Sequence, residues 1–467
     1  MRFLLTALML LPLGLAGQLR DAAASGGRVL PQDVQVSHDG FAAHSEPAIA
    51  DNPANPLDLI AASKFFTDPK HYRFKIGTFY SSNGGRTWHD AGILPGFSAY
   101  GMTSDVSIAY DAAGVAYVCV LAVGANTSGI FVSRSNDDGK SFLPPVPVFL
   151  DQTGATFSDK PWIAVDQSKP HGNVYVAWNL DGSDDRADGA SAFVAKQVSS
   201  SGNGLVISRS TDGGQSFSAP VVFQPFSNSQ FPIGAFPAVG PDGTLYVAYS
   251  MDKNKSGKVD GLKLVKSSDG GVTFTAPKTI SQVDGLPNHL PHGTFRNITL
   301  PALAVSPKDG ALVVVWSDMR YGDADVLATT SRDGGDTWSQ PVRVNHDRKG
   351  DGKDQFQPAL AVAPDGIFTC AWLDRRRSRD DRLIDEFVAQ SRDNGLSFSH
   401  NVRATRASWN PSIDAPEPEG KKSDTFIGDY QALAVDDQVV HPLWNDTQNG
   451  KNQQIRTTAL STSVFRY

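Results

Sequence analysis

Glutamate is scarce in this chain of 467 residues: of 49 acidic side chains only Glu46, Glu386, Glu417 and Glu419 carry the longer carboxylate. The other 45 (49 minus 4) are aspartates, whose short side chain accepts bonds from nearby backbone N–H groups in turns. The chain is therefore rich in turns. Cysteine is nearly absent, with Cys119 in "AYVCVL" and Cys370 in "FTCAWL" as the pair present. That excludes a disulfide-stapled scaffold, and both positions, in apolar strand patterns, are expected to be buried free thiols. No segment beyond the first residues approaches the roughly 20 apolar residues of a membrane helix, so no membrane span is expected. No stretch shows the 3.6-residue period of an amphipathic helix, and no linker divides the chain. A net charge of -7 with a pI near 5.8 removes the electrostatic reason to expect nucleic acid. With 40% hydrophobic and 19% charged residues, a large folded core is expected rather than a disordered chain.

The first residues, "MRFLLTALMLLPLGLAGQ", combine a basic start, an apolar run from Phe3 to Leu15 and small residues at Ala16 and Gly17. This is the layout of a secretory signal peptide. Residues 1–24 are expected to be that leader and 25–467 a single exported domain, periplasmic or extracellular. No Cys follows the apolar run to accept a lipid.

What is abundant is a repeat. "SSNGGRTW" (Ser81 to Trp88), "SNDDGKSF" (Ser135 to Phe142), "STDGGQSF" (Ser210 to Phe217), "SSDGGVTF" (Ser267 to Phe274), "SRDGGDTW" (Ser331 to Trp338) and "SRDNGLSF" (Ser391 to Phe398) share one pattern. In each the Asp or Asn can accept turn N–H bonds, glycine permits positive φ, and the final aromatic can tuck beneath the turn. Their Asp/Asn positions, 83, 137, 212, 269, 333 and 393, lie 54, 75, 57, 64 and 60 residues apart, the spacing of supersecondary units. The longest interval contains a Gly/Ser/Asp-rich insertion placed at Asp181 to Gly204.

A second pattern recurs between boxes: an apolar strand, a turn, then a strand ending in an aromatic, as in "FPAVGPDGTLYVAYS", "LPALAVSPKDGALVVVWSD" and "QPALAVAPDGIFTCAWLD". A seventh copy, "YQALAVDDQVVHPLWND", has no box after it. Four short antiparallel strands per unit, repeated radially, is a β-propeller. The all-β fold is expected to have seven blades, with six as the competing count. Gln32 to Ser37 is expected to supply the outer strand of the last blade, closing the ring and removing its open edge.

The repeats resemble Asp-boxes, also called bacterial neuraminidase repeats, and from about residue 32 onward the chain resembles the sialidase superfamily of propellers. The resemblance implies that the boxes are scaffold and that chemistry lies on the opposite face, among the loops joining second to third strands and the starts of first strands. Sialidases of this fold use a Tyr nucleophile activated by a Glu, an Asp acid/base and three Arg residues that clamp a carboxylate. Carried onto this chain, the resemblance implies Tyr430 and Glu46 as nucleophile and base, Asp105 and Asp159 as acid/base, and Arg296, Arg320, Arg375 and Arg376 as clamps. The family's early F/Y-R-I-P motif is missing, and the corresponding place reads "SEPAI". The W-x-D turns that carry several of these groups also suit simple hairpin caps.

The expected function is that of a secreted glycan-acting propeller, an exo-α-sialidase-like glycoside hydrolase. A noncatalytic carbohydrate- or protein-binding propeller is the alternative, as is a polysaccharide lyase, for which His289 and His292, with Arg296 nearby, would bind substrate. No cofactor is required by these readings. "DKNKSGKVD" follows calcium-loop spacing, with Asp252, Asn254, Ser256, the Lys258 carbonyl and Asp260 as ligands of a structural calcium. The expected partner is a glycan or polysaccharide, and the expected state a monomer.

Overall fold

The structure is a computed structural model describing residues 33–182, 202–417 and 425–467; the expected leader at residues 1–24 and most of the insertion lie outside the described residues. Seven antiparallel sheets stand around an axis. Their innermost strands are Ala42–Asn52, Met102–Tyr110, Thr156–Val165, Phe231–Val239, Ala302–Val305, Gln355–Val362 and Ala432–Val435, here blades I to VII. Each of blades I to VI orders its four strands in sequence, as the alternating patterns require.

Blade VII closes the ring as expected. Its outermost strand is Val34–Gln35, which pairs antiparallel through Val34 with Thr457 and Gln35 with Arg456. The tie is reinforced beyond the two paired residues. Val36 N donates to the Ile455 carbonyl at 2.9 Å, Ser37 Oγ to Gln454 Oε1, and Arg456 Nη2 to Asp33 Oδ1 at 3.0 Å. The insertion is shorter than expected at both ends. Strands Val174–Gly182 and Gly202–Ser210 stay paired through Asp181 with Asn203 and Gly182 with Gly202.

The core lies between blades rather than within any one of them. The aromatic ending each second strand pattern is the large element there: Trp178, Trp316, Trp372 and Trp444 have no exposed surface. Cys119 and Cys370 are free and buried in the same layers.

All six boxes follow third strands, and the five with aspartate share one bonding scheme, while in the first box Asn83 Nδ2 donates to Thr87 Oγ1 instead. In the fifth, Ser331 Oγ donates to Asp333 Oδ1, Gly335 N donates to Ser331 Oγ, and Thr337 donates its N–H and hydroxyl to the two Asp333 oxygens. Such donors favour the ionised carboxylate. Against a burial effect of the opposite sign, the hydroxyls of Ser216 and Ser210 and the surrounding N–H groups hold Asp212 down at about 2. The second box glycine lies at positive φ and against the preceding blade. A Cβ on Gly139 would meet Ile60 Cγ1 at 2.7 Å, on Gly214 Tyr117 Cε1 at 2.9 Å, and one on Gly335 would run into Leu264 Cδ2. The boxes are thus inter-blade fittings as well as turns.

One fitting differs. Blade VII presents His441 to Gly85 of the first box, where blades II and III present Tyr117 and Tyr175 at the same strand position. His441 is buried, and desolvation pushes its pKa down to about 4. The folded state therefore holds it neutral, while the unfolded imidazole titrates near 6.5. Between these values the unfolded state binds the extra proton, so stability is lost as pH falls from about 6.5 to 4, by about 3 kcal/mol in all. His441→Tyr is expected to flatten the pH dependence of the melting temperature across that window; an unchanged profile would show that the histidine is not its source.

Candidate functional site: an ionic cluster at the axial mouth

On the face opposite the boxes, the innermost strands begin with a repeated distortion. The pairing of first with second strands shifts register between Ser45 and Ala48, Ser104 and Ser107, Asp159 and Trp162, Ile233 and Phe236, and Phe356 and Ala359. At each bulge one residue takes positive φ: Glu46 (52°), Asp105 (52°), Lys160 (48°), Gly234 (71°) and Gln357 (50°). A non-glycine residue there is strained unless its surroundings hold it. Tyr430 occupies the corresponding place in blade VII, two residues before its strand. The bulges turn these side chains toward the axis.

The charged ones converge. Asp429 is the centre: Lys160 Nζ lies 2.5 Å from its Oδ2, and Arg296 forks onto it with Nε to Oδ1 at 2.9 Å and Nη2 to Oδ2 at 2.6 Å. Lys160 comes from blade III and Asp429 from blade VII, so the first contact crosses the axis. Glu46 and Lys64, both of blade I, pair at 2.6 Å. Asp105 Oδ2 and Asp159 Oδ1 both receive the Lys160 N–H. Phe426, fully buried, has Lys64 Nζ 4.1 Å and the Arg296 guanidinium carbon 4.7 Å from its ring centre, favourable cation–π placement.

This arrangement separates the carboxylates electrostatically. Burial raises all of them, yet Arg296 and Lys160 overcome it at Asp429, which stays ionised. Asp105 is likewise held below its ordinary value by Lys160 and Lys64 despite desolvation. Asp159 goes the other way. Burial, helped by its neighbour Asp105 and only partly opposed by Lys160, raises it to about 7. The two aspartates form a proton-sharing pair. Glu46 is raised by burial against the pull of Lys64.

Behind the cluster an axial cavity of about 190 Å³ is lined by first-strand residues including Ile108, Trp162, Phe236 and Leu433, with Lys160, Asp429 and Tyr430 also on its wall. Trp162 packs at a tilt against Phe236, with ring centres 4.6 Å apart, and meets the Tyr430 ring edge-on at 5.2 Å. Tyr430 Oη donates to the Val106 carbonyl at 3.4 Å, and burial lifts its phenol well above the ordinary range.

Of the residues singled out from sequence, Tyr430, Glu46, Asp105, Asp159 and Arg296 meet at this mouth. Arg320 and Arg376 instead fork onto Asp318 and Asp374, the aspartates two residues before them, which also accept from Trp316 and Trp372. Gln448 and Trp444 do the same at Asp446. Arg375 is buried against Asp354, Asp381 and the Pro291 carbonyl. His289 pairs by a backbone bridge with Arg296, whereas His292 lies at a separate cleft. In the loop of Asp252, Asn254, Ser256, Lys258 and Asp260, the Asp252 oxygens accept from Asn254 N, Ser256 Oγ and Gly257 N, and Asp260 faces Lys253. Lys258 pairs with Asp284. Among the described residues no group of three or more His, Cys, Asp or Glu is placed to hold a metal ion, and no helix is long and apolar enough to cross a membrane.

Lys64, Lys160, Phe426 and Asp429 had not been singled out. Lys160 stands in "FSDKPW" at the first-strand bulge position that Glu46 and Asp105 occupy in their blades, and Asp429 in "IGDYQ" one residue before the corresponding Tyr430. Aligning those starts would have revealed them.

Residues 234–421 match the profile of the BNR repeat-like domain. The chain is an Asp-box β-propeller. A search of curated proteins by sequence returned no match. Among solved structures, an α-L-arabinanase from Penicillium chrysogenum complexed with arabinobiose shares 12% identity over 93% of this chain and 100% of its own, with a TM-score of 0.52. An ulvan lyase of polysaccharide lyase family PL25 shares 10% over 78% and 81%, at 0.51. A Hadza microbial sialidase shares 16% over 88% and 75%, at 0.47. At these identities, what the Asp-box propeller shares with the arabinanase and the ulvan lyase is the fold.

Removing the Asp429 charge leaves Lys160 without its buried partner. Asp429→Asn is expected to destabilise the propeller by about 3 to 5 kcal/mol, read as a fall in the midpoint of denaturant unfolding. Adding Lys160→Met to it should recover part of the loss; strictly additive effects would mean that the two groups do not interact.

Proposed function

We propose that this Asp-box propeller acts on a glycan at its axial mouth, as a glycoside hydrolase in which Asp159 donates the proton. The observation that carries this reading is the pair of adjacent aspartates driven apart, one held ionised and the other kept protonated up to about 7, the division of roles that acid catalysis at neutral pH requires. Half-exposed Arg296, seated on Phe426, offers a charged contact to a sugar beside it. Solved propellers of similar fold whose names describe an arabinanase and an ulvan lyase support a glycan as the substrate class. An export leader at residues 1–24 fits a glycan outside the cytoplasm.

The sialidase-like form of the proposal makes Tyr430 the nucleophile and Glu46 its base. In the resting geometry Tyr430 Oη bonds to Val106 and Glu46 faces Lys64, so this route needs the phenol to turn toward Glu46. A second reading, a noncatalytic glycan-binding propeller, is favoured by one observation: Lys64, Lys160 and Arg296 each already face a carboxylate.

Release of free sialic acid, arabinose, reducing ends and unsaturated uronate from a panel of glycans separates these readings. The acid mechanism expects kcat/KM to fall as pH rises through about 7, as the proton is lost from Asp159, and Asp159→Asn to abolish turnover without lowering Tm. Asp105→Asn removes a charge that raises Asp159, so the alkaline limb should move to lower pH. Silence of the wild-type protein across the panel would leave the binding propeller. Tyr430→Phe should cost about a thousandfold or more in kcat if the tyrosine is the nucleophile; near-normal turnover would remove it from that role.

A further inference from the structure

The loop of residues 284–301 ends beside the axial mouth at Arg296, but its middle reaches a second cleft on the same face. His292 to Phe295 form one wall of a space of about 280 Å³, with Asp380, Arg382 and Leu383 opposite. This adjoins a space of about 380 Å³ lined by His292, Lys353, Arg379, Asp380, Asp381 and Arg382. The rest of the lining comes from Asn410 to Ser412, which follow blade VI, and from blade VI itself, whose second and third strands are joined by "RRRSRDDR", residues 375–382.

Asp380 and Asp381 also line this cleft, but its cations are only weakly paired with them. Arg379 has no acidic partner among the described residues, and Lys353 Nζ donates instead to the Ser378 and Arg379 carbonyls at 2.6 and 3.3 Å. Arg382 meets Asp380 only at 3.7 Å, with both side chains about two thirds exposed, at 64% and 65%, a pair that solvent renders weak. Beneath them Arg375 has no exposed surface, and its Nε and Nη2 lack hydrogen-bond partners. A Cβ on Gly293 would lie 2.9 Å from that Nη2, so glycine lets the guanidinium come up behind the cleft wall. Asp354, which shares the Arg375 contact with Asp381, is itself raised to about 7 by burial and by Asp381. His292, exposed, holds a left-handed backbone (φ 60°) at the point where the two spaces meet.

A run of surface arginines is ordinarily a solvated face. Here the run lines a concavity, one lysine is fixed by carbonyls, and a buried guanidinium with spare donors stands behind it, in a protein of net charge -7. Arginine forks and lysine match carboxylate and sulfate oxygens. We propose that this cleft binds the acidic groups of a glycan, carboxylate or sulfate, while a neighbouring sugar of the same chain occupies the axial mouth. The second half of this statement rests on the function proposed above.

The experiment is titration of the full protein with tetragalacturonate, a sulfated galactan tetrasaccharide and neutral arabinotetraose, followed by calorimetry at two salt concentrations. Binding of at least one acidic oligosaccharide is expected, weakening as salt rises. Arg379→Ala combined with Arg382→Ala should reduce that affinity about tenfold or more with an unchanged melting temperature, whereas Arg348→Ala, an exposed arginine outside the cleft lining, should leave it nearly intact. Preference between the two acidic probes identifies carboxylate or sulfate as the ligand group. Absence of acidic binding, undiminished binding by the double variant, or an equal loss in the Arg348→Ala control would overturn the proposal. If acidic oligosaccharides bind through these arginines but no glycan is turned over, the cleft stands and the axial catalytic reading falls. If a neutral glycan is turned over through Asp159 while no acidic probe binds, the cleft reading falls alone.

Discussion

The pairing of Val34–Gln35 with Arg456 and Thr457 is the constraint on which the rest of the molecule depends. A radial array of sheets has two free edges until its ends meet, and an unpaired edge is both unstable and open to association. Here the N-terminal strand completes the last blade, with Asp33, Ser37 and Phe41 adding bonds around it. Closure also makes blades VII and I neighbours, which brings Glu46 and the Asp429–Tyr430 pair, nearly the whole chain apart, to one axial mouth.

That mouth is held by charge rather than by packing alone. The innermost strands of a propeller approach closely, and bulges at their starts push Glu46, Asp105 and Lys160 inward at positive φ. Such strain persists when the surroundings over-determine it, and contacts crossing the axis supply that determination. Asp429 takes Lys160 from one side and Arg296 from another, while Tyr430 reaches the backbone of blade II at Val106. The balance leaves the burial of Asp159 and Glu46 incompletely compensated, and this is why both depart upward while Asp429 and Asp105 move down.

The boxes play a different part. Their aspartates are saturated by turn donors, and their glycines rest on the preceding blade. The same logic recurs in the W-x-D turns on the opposite face, where Asp318, Asp374 and Asp446 each accept an indole N–H and a longer donor four residues along from the tryptophan. Arg320 and Arg376 look in sequence like ligands for an acidic substrate, but in the fold their forks are already on protein carboxylates. Away from these two rings of saturated aspartates, the charged groups that face an open space meet at the axial mouth and at the cleft beside His292.

The sequence by itself determined the architecture, because its signals are local and repeated. Box chemistry, alternation and the aromatic ending each second strand marked the blades, and the spare "QDVQV" matched the missing outer strand. It also marked Tyr430, Glu46, Asp105, Asp159 and Arg296, since each stands at the start of a first strand or in the loop leading to one. Tertiary structure decided what those residues face. Whether an arginine is free or consumed depends on an aspartate brought to it by the fold, and the partner of Asp429 lies in blade III, far away in the chain. No spacing rule encodes a contact across the axis, because it follows from the number of blades and the bulge geometry together. The same holds for Asp159, whose proton affinity is the sum of burial and of charges carried by other strands.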